Sequence, residues 1–471
     1  MRILFISSEV APFSKTGGLG DVAGALPRAL ALRGHQVRVV TPLYRSVPRA
    51  TLQLFGSPVT LHFPFGDVEV RSYRAVGDVE TVFVDAPAAF DRDAFYGFGD
   101  DARRFAVLSL AALAFAQRDG FAADVVHGND WQSAPALLAL RTGYAHTALG
   151  RARRVFTIHN LAFQGMFPKR ELEALGIPWS LFTVDGVEFY DQLSYMKTAL
   201  VCADVLTTVS PSYAKEIQTP GFGVGLDGLL RHRSADLHGI LNGVDAREWN
   251  PATDVFLPRT FTATEPSGRA RCRSELIASC RIDPPVDGMP LFGIIGRMTG
   301  QKGADLLQAA LPRLLEQGAS AIVLGAGDPA LEHAWRQLDA RYPRRLAVRV
   351  GFDESLAHRI EAGSDFFLMP SRFEPCGLNQ MYSLLYGAVP VVHAVGGLKD
   401  TVVDLSQPEG NGVIFDVPTP EAMFGALVRC VELFRDPARY LAVQRRGMNS
   451  DFGWGRAAAA YEQLYRGPPS P

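Results

Sequence analysis

The sequence predicts an α/β protein built from two doubly wound domains. Three observations carry this. Short apolar runs alternate with longer amphipathic stretches along the chain. The alternation pauses once, near residue 245, and then restarts. The 471 residues, 47% hydrophobic and 20% charged, supply apolar material for more than one large core.

In the first block, Arg2–Ile6, Val37–Val40, Val82–Val84, Val125–Val126, Val155–Ile158 and Val205–Val209 read as buried strands. Ala23–Arg33 and Arg103–Gln117 read as helices between them. Strands that alternate with helices build parallel sheets from βαβ units. From Asn242 to Pro290 the rhythm stops at Asn250-Pro251, Pro258, Glu265-Pro266-Ser267-Gly268 and Pro284-Pro285, a composition that marks a linker or a domain entry. Strands resume at Leu291–Ile295, Ala321–Leu324, Val348–Val350, Phe366–Met369 and Val389–Val392. Two such blocks imply two domains facing each other, with ligands bound beyond the carboxyl ends of their strands.

A net charge of −2 argues against a nucleic-acid partner held on a broad basic face. Five cysteines, without a paired or zinc-like spacing, fit a reducing compartment and mostly buried, inert thiols. The run Ile3–Ile6 is too short for a signal peptide, and Ala106–Ala116 falls far below the ~20 residues that span a bilayer. These features place the protein in the cytoplasm, with no membrane partner.

Four stretches carry chemistry. Lys15-Thr16-Gly17-Gly18-Leu19-Gly20-Asp21 leads into a helix near Val22–Leu32. Its glycines let backbone N–H groups approach an anion, and Lys15 adds a charge. On its residues alone the stretch is equally a glycine turn capping a helix. His127-Gly128-Asn129-Asp130-Trp131-Gln132 and Thr157-Ile158-His159-Asn160 put polar groups at the ends of two strands, where an open α/β sheet gathers its chemistry. Gly296–Gly303 follows a strand and holds Arg297 and Lys302 in a glycine-rich turn suited to a pyrophosphate; a solvated basic turn is the alternative. Ser371–Gln380 follows another strand, and Glu374 can accept hydrogen bonds from sugar hydroxyls. Gly396–Thr401 reads as further backbone donors, Gly325–Asp328 as a common turn, and Asp91-Arg92-Asp93 as a loop rather than a metal holder.

Taken in order, these stretches resemble the family of bacterial glycogen synthases and plant starch synthases. The likeness runs nearly end to end, through Lys15–Asp21, His127–Gln132, Thr157–Gly165, Leu241–Asp254, Gly296–Gly303, Gly351–Ile360, Ser371–Gln380 and Gly387–Thr401. It implies the GT-B fold, two Rossmann-like domains facing across a deep cleft. The implied domains are 1–241, completed by a C-terminal helix within 451–471, and 242–450, which binds the nucleotide sugar. The implied reaction moves glucose from ADP-glucose to the non-reducing end of an α-1,4-glucan, with retention and without metal or cofactor.

The resemblance also implies roles. Arg297 and Lys302 match the pair that binds the leaving diphosphate, and Glu374 matches the glutamate that orients the sugar. His159 and Asp130 match groups beside the transferred glucose. Lys15, Gly17, Gly18, Asp21, Asn242, Phe352, Cys376, Gly377, Leu378 and Thr401 are the implied donor contacts. Some positions depart from the family pattern. Tyr382 stands where many retaining GT-B enzymes have a second Glu, Phe352 replaces a common Tyr, Asn379 a common Thr, and Gly453 a Ser. Phe352 keeps a stacking face and leaves the choice of base open, so UDP-glucose or another sugar nucleotide is the alternative donor. A non-catalytic glucan-binding relative is the other alternative.

Overall fold

The computed structural model describes residues 1–75 and 77–467. The chain forms two units: Met1–Gly243 with the terminal helix Trp454–Arg466, and Val244–Gly453.

The strands of the first unit are β1 (Arg2–Ile6), β2 (Gln36–Pro42), β3 (Gln53–Leu54), β4 (Val59–Phe63), β5 (Gly66–Ala75), β6 (Glu80–Asp85), β7 (Val125–Asn129), β8 (Arg153–Ile158), β9 (Met166–Pro168), β10 (Glu188–Phe189), β11 (Gln192–Ser194), β12 (Val205–Thr208) and β13 (Leu237–Gly239). The main sheet runs β13-β12-β8-β7-β1-β2-β6-β5-β3, with β4 on β5. From β13 to β6 every pairing is parallel. These strands are largely buried and mostly apolar, as parallel strands covered on both faces are. Beyond β6 the pairing turns antiparallel. In β5 the charged side chains alternate with buried ones, the period of a half-covered sheet. β3 to β5 and the small sheet β10-β11-β9 lie outside the predicted strands.

The terminal helix belongs to this core. Trp454, Ala457, Ala458 and Tyr461 pack with Val22, Leu26 and Leu30 of the helix Gly18–Leu32. At its end, the Tyr465 hydroxyl meets His127 Nδ1 at 2.8 Å, and His127 Nε2 meets Thr157 Oγ1 at 2.6 Å. His127 is fully buried, and desolvation pushes its imidazole down to about 3. It therefore ties the helix to β7 and β8 as a neutral ring, a structural role.

The second unit has β14 (Leu291–Ile295), β15 (Ser320–Gly325), β16 (Leu346–Val350), β17 (Phe366–Met369), β18 (Val389–His393) and β19 (Val413–Phe415). Its order is β16-β15-β14-β17-β18-β19, all parallel. This is the Rossmann order, whose switch point lies between β14 and β17. The turn-rich stretch read as a linker or a domain entry leads into this unit, which begins at Val244, and most of it is packed structure. It contains the helix Gly268–Cys280 and a ring stack of Trp249 on His358 (3.8 Å) and Tyr382 (3.9 Å). Asp254 is buried and accepts from His358 Nδ1 (2.7 Å) and the Tyr386 hydroxyl (2.6 Å). Despite desolvation, these bonds hold its carboxyl below the usual range. Prolines there shape turns, but aromatic packing decides that the turns are ordered.

Tyr465→Phe should lower stability by about 1–2 kcal/mol, since it leaves a buried imidazole nitrogen without its partner. A thermal melt followed by near-UV dichroism checks this; an unchanged midpoint counts against the tie.

Candidate functional site

The second unit gathers its polar groups at the switch point. Arg297, Lys302, Ser371, Glu374, Gly377, Leu378 and Asn379 line one small cavity there of about 100 Å³. The Lys302 ammonium pairs with the buried Glu374 carboxylate, which also accepts from Ser371 Oγ at 3.0 Å. Arg297 is exposed and reaches Gln301 Oε1 at 3.3 Å. Asn379 Nδ2 donates to the carbonyl of Ile295 at 3.0 Å, joining the end of β14 to the start of the helix Asn379–Tyr386. The two cations thus differ: Lys302 is held by a carboxylate, and Arg297 faces solvent.

Glycine permits the close packing behind this cavity. Gly396 has φ +45°, and a Cβ there would lie 1.9 Å from the carbonyl oxygen of Glu374. The segment Gly396–Thr401 can therefore press against the turn Glu374–Gly377. Thr401 is buried; its Oγ1 donates to the carbonyl of Gly397 (2.7 Å) and accepts from Gln380 Nε2 (3.1 Å). Its side chain braces the turn and does not line the cavity. Cys376 is buried in the same turn. Phe352 sits just beyond β16 with 87% of its surface exposed, a free ring face. Tyr382 is spent in the stack on Trp249, which accounts for an aromatic residue at that position.

The first unit has its own switch point, between β1 and β7, because β1 is flanked by β2 and β7. Asp130 follows β7 with φ 51°, a conformation uncommon for residues with a side chain. That turn aims its Oδ1 at the N–H of His159, 2.7 Å away at the end of β8. His159 Nε2 meets Asn129 Oδ1 at 3.0 Å, while Asn129 Nδ2 donates to the carbonyl of Ile6 at 3.1 Å. The amide orientation makes Oδ1 the acceptor, so His159 carries its proton on Nε2 and keeps the Nδ1 lone pair. Burial pushes its imidazole down to about 3, which keeps it neutral. Burial pushes the Asp130 carboxyl up to about 7, opposed by N–H bonds from His159 and Asn160 and reinforced by the charge of Glu9.

Gly17 and Gly18 are exposed at the start of the helix Gly18–Leu32, whose first-turn N–H groups have no carbonyl of their own helix. Lys15 pairs with Asp21 at 2.6 Å. The charge that Lys15 brings to this loop is thus balanced by Asp21. Asn242 is buried next to the end of the first unit, and its Oδ1 has no partner among the described residues.

Sequence reasoning passed over Glu9 and Tyr96, and it named Ser371 only as the start of the stretch Ser371–Gln380. Glu9 is buried and accepts from Thr16 N (2.5 Å), Thr16 Oγ1 (2.6 Å) and the Tyr96 hydroxyl (2.7 Å). The run Ser7-Ser8-Glu9 at the end of β1 was a usable signal, equal in kind to the polar ends of β7 and β8. Other stretches have ordinary roles. Asp328 caps the helix Pro329–Arg341, Asp91 and Asp93 pair with Arg45, and the five cysteines are buried and form no disulfide among the described residues. Among the described residues no helix is long and apolar enough to cross a membrane.

A family model described as the starch synthase catalytic domain matches residues 2–232, and one for glycosyl transferases group 1 matches residues 289–432. A glycogen synthase of Myxococcus xanthus (strain DK1622) is 50% identical over 476 residues, covering 99% of each chain. One from Anaeromyxobacter sp. (strain Fw109-5) is 51% identical, covering 100% of each. Among solved structures, the catalytic domain of starch synthase IV from Arabidopsis thaliana, bound to ADP and acarbose, aligns with a TM-score of 0.94 at 32% identity, over 99% of this chain and 98% of that one. A sucrose-phosphate synthase from Thermosynechococcus elongatus aligns at 0.63 and 19% identity, covering 99% and 98%, a likeness of fold.

Asp130 holds its proton more tightly folded than unfolded, so its contribution to stability is complete below about pH 4 and lost as pH rises through about 7. Asp130→Asn keeps an acceptor for the His159 N–H and removes the titration. Melting midpoints at about pH 5 and pH 8 should therefore fall less in the variant than in the wild type. Equal falls would contradict the raised carboxyl.

Proposed function

The chain belongs to the glycogen and starch synthase family of glycosyltransferases, with the GT-B fold, and from that premise we propose that it transfers glucose from ADP-glucose to the non-reducing end of an α-1,4-glucan, with retention. The observation that carries the proposal is the Lys302–Glu374–Ser371 cluster at the β14/β17 switch point, with Arg297 beside it.

Breaking the anomeric bond leaves positive charge on the sugar and negative charge on the departing diphosphate. Arg297 and Lys302 meet the diphosphate, and preorganised charge of this kind is commonly a large term in such a step. Glu374 is held by Lys302 and Ser371 in one orientation, ready to accept sugar hydroxyls. Cys376, Gly377 and Leu378 approach the donor through their backbone, and Thr401 acts by bracing that turn. Phe352 offers its ring face to the adenine. From the first unit, the amides of Gly17 and Gly18 together with Lys15 contact the donor phosphates, while Asp21 holds Lys15. Asn242 offers its open Oδ1 to the donor. Neutral His159 and Asp130 stabilise the reacting sugar; Asp130 fixes the His159 backbone, so the carbonyl and ring of His159 keep their aim. A sparse set of five cysteines without paired spacing supports a cytoplasmic location.

Purified protein should release ADP from ADP-glucose only when glycogen or maltodextrin is present, and in competition should prefer ADP-glucose to UDP-glucose. Lack of primer-dependent release by folded protein overturns the proposal; preference for UDP-glucose overturns the donor. Glu374→Gln should lower kcat by ~100-fold or more while the fold persists. Lys302→Gln should lower the rate and raise KM for the donor together, and unchanged values would remove Lys302 from the phosphate contact.

A further inference from the structure

The Glu9 carboxylate sits at the β1/β7 switch point, at the root of the glycine loop, and no role in the reaction derived above uses it. It is 3% exposed and has no cation beside it among its hydrogen-bond partners. Oε2 takes the N–H of Thr16; Oε1 takes both the Thr16 hydroxyl and the Tyr96 hydroxyl. Ser8 Oγ lies 2.8 Å from the same tyrosine oxygen, and Ser7 Oγ donates to the Glu9 carbonyl at 2.7 Å. Burying a carboxylate is costly unless its lone pairs are used, and here they are shared among three donors from two separate loops.

This arrangement does two things. It joins the glycine loop to the irregular segment 91–100, which is itself pinned by Arg92–Asp100 and by Asp101 accepting from Gly97 and Phe98. It also consumes the Thr16 N–H. The exposed amides that follow, at Gly17 and Gly18, are then the ones presented to an anion, at the start of a 15-residue helix. A loop with paired glycines has many conformations in solution, and a buried three-bond anchor one residue before them selects among these.

We propose that Glu9 is a positioning residue for the donor: by clamping Thr16 against Tyr96 it decides which amides of the glycine loop face the diphosphate. The proposal rests on the donor site described above, and it says that part of donor affinity is set by a carboxylate that never touches the donor. Gln at position 9 can keep the geometry, with its carbonyl accepting from Thr16 N–H and its NH₂ donating to the two hydroxyls. Ala cannot.

The test compares Glu9→Ala, Glu9→Gln and wild type by two measurements. Amide exchange over residues 15–19 reads the loop without any substrate, so it stands even if the protein does not use ADP-glucose. Steady-state kinetics read the site. In Glu9→Ala, loop amides should exchange at least ~10-fold faster and KM for ADP-glucose should rise about 10-fold, with KM for the glucan primer unchanged. Glu9→Gln should restore both to within about threefold. A general loss of structure would lower the active fraction without splitting the two KM values. If Glu9→Ala does not fold, the Thr16→Val and Tyr96→Phe double variant takes its place, with a several-fold rise in donor KM expected. Faster loop exchange with unchanged donor KM overturns the proposal, as does unchanged exchange. If wild type shows no turnover, the donor reading fails on its own evidence, and ADP binding measured by calorimetry on the same variants decides whether Glu9 positions an anion site; equal affinities overturn it.

Discussion

The constraint on which the rest depends is the burial of parallel strands on both faces. Neither β14 nor β17 has a side open to solvent, and β1, β7 and β8 are just as enclosed. A polar group on these strands must find a partner inside, as His127 does with Thr157 and Tyr465. Only the carboxyl ends escape this rule. The Rossmann order spreads the connections apart at one place in each unit, and there Glu9, Asp130, His159, Lys302 and Glu374 have room to stand.

Each of these groups is held by another before any ligand arrives. Lys302 pairs with Glu374, Lys15 with Asp21, Asp130 with the His159 backbone, and Glu9 with Thr16 and Tyr96. Such pairing lets charges remain partly buried at tolerable cost and removes rotamers that binding would otherwise have to freeze. Burial, by contrast, keeps His159 neutral and raises the Asp130 carboxyl to about 7, against the pull of its N–H partners. Both follow mainly from burial, and so depend on packing around the strands as much as on the residues themselves.

The glycine loop illustrates how far such a site can be read in advance. Gly17 and Gly18 mark an anion-seeking turn, and Lys15 suggests a free charge. Asp21, one helical turn on, claims that charge, and Glu9 claims the neighbouring amide. The motif is local, but its occupancy is decided by residues that reach it through the fold. Tyr96 is eighty-seven positions from Glu9 in the chain and one hydrogen bond away in space.

The sequence by itself determined the strands at both switch points, since buried parallel strands must be continuous apolar runs, and it determined the motifs at their ends. It also carried the family, through an ordered set of motifs too long to arise by chance. Tertiary structure alone decided the rest. It showed how the turn-rich stretch before Pro290 packs, because Trp249 stacks between rings from two distant helices. It gave Thr401 its partners Gly397 and Gln380, and it brought Glu9 to Thr16 and Tyr96. These outcomes turn on which distant partner satisfies a side chain, and no local pattern of residues encodes that choice.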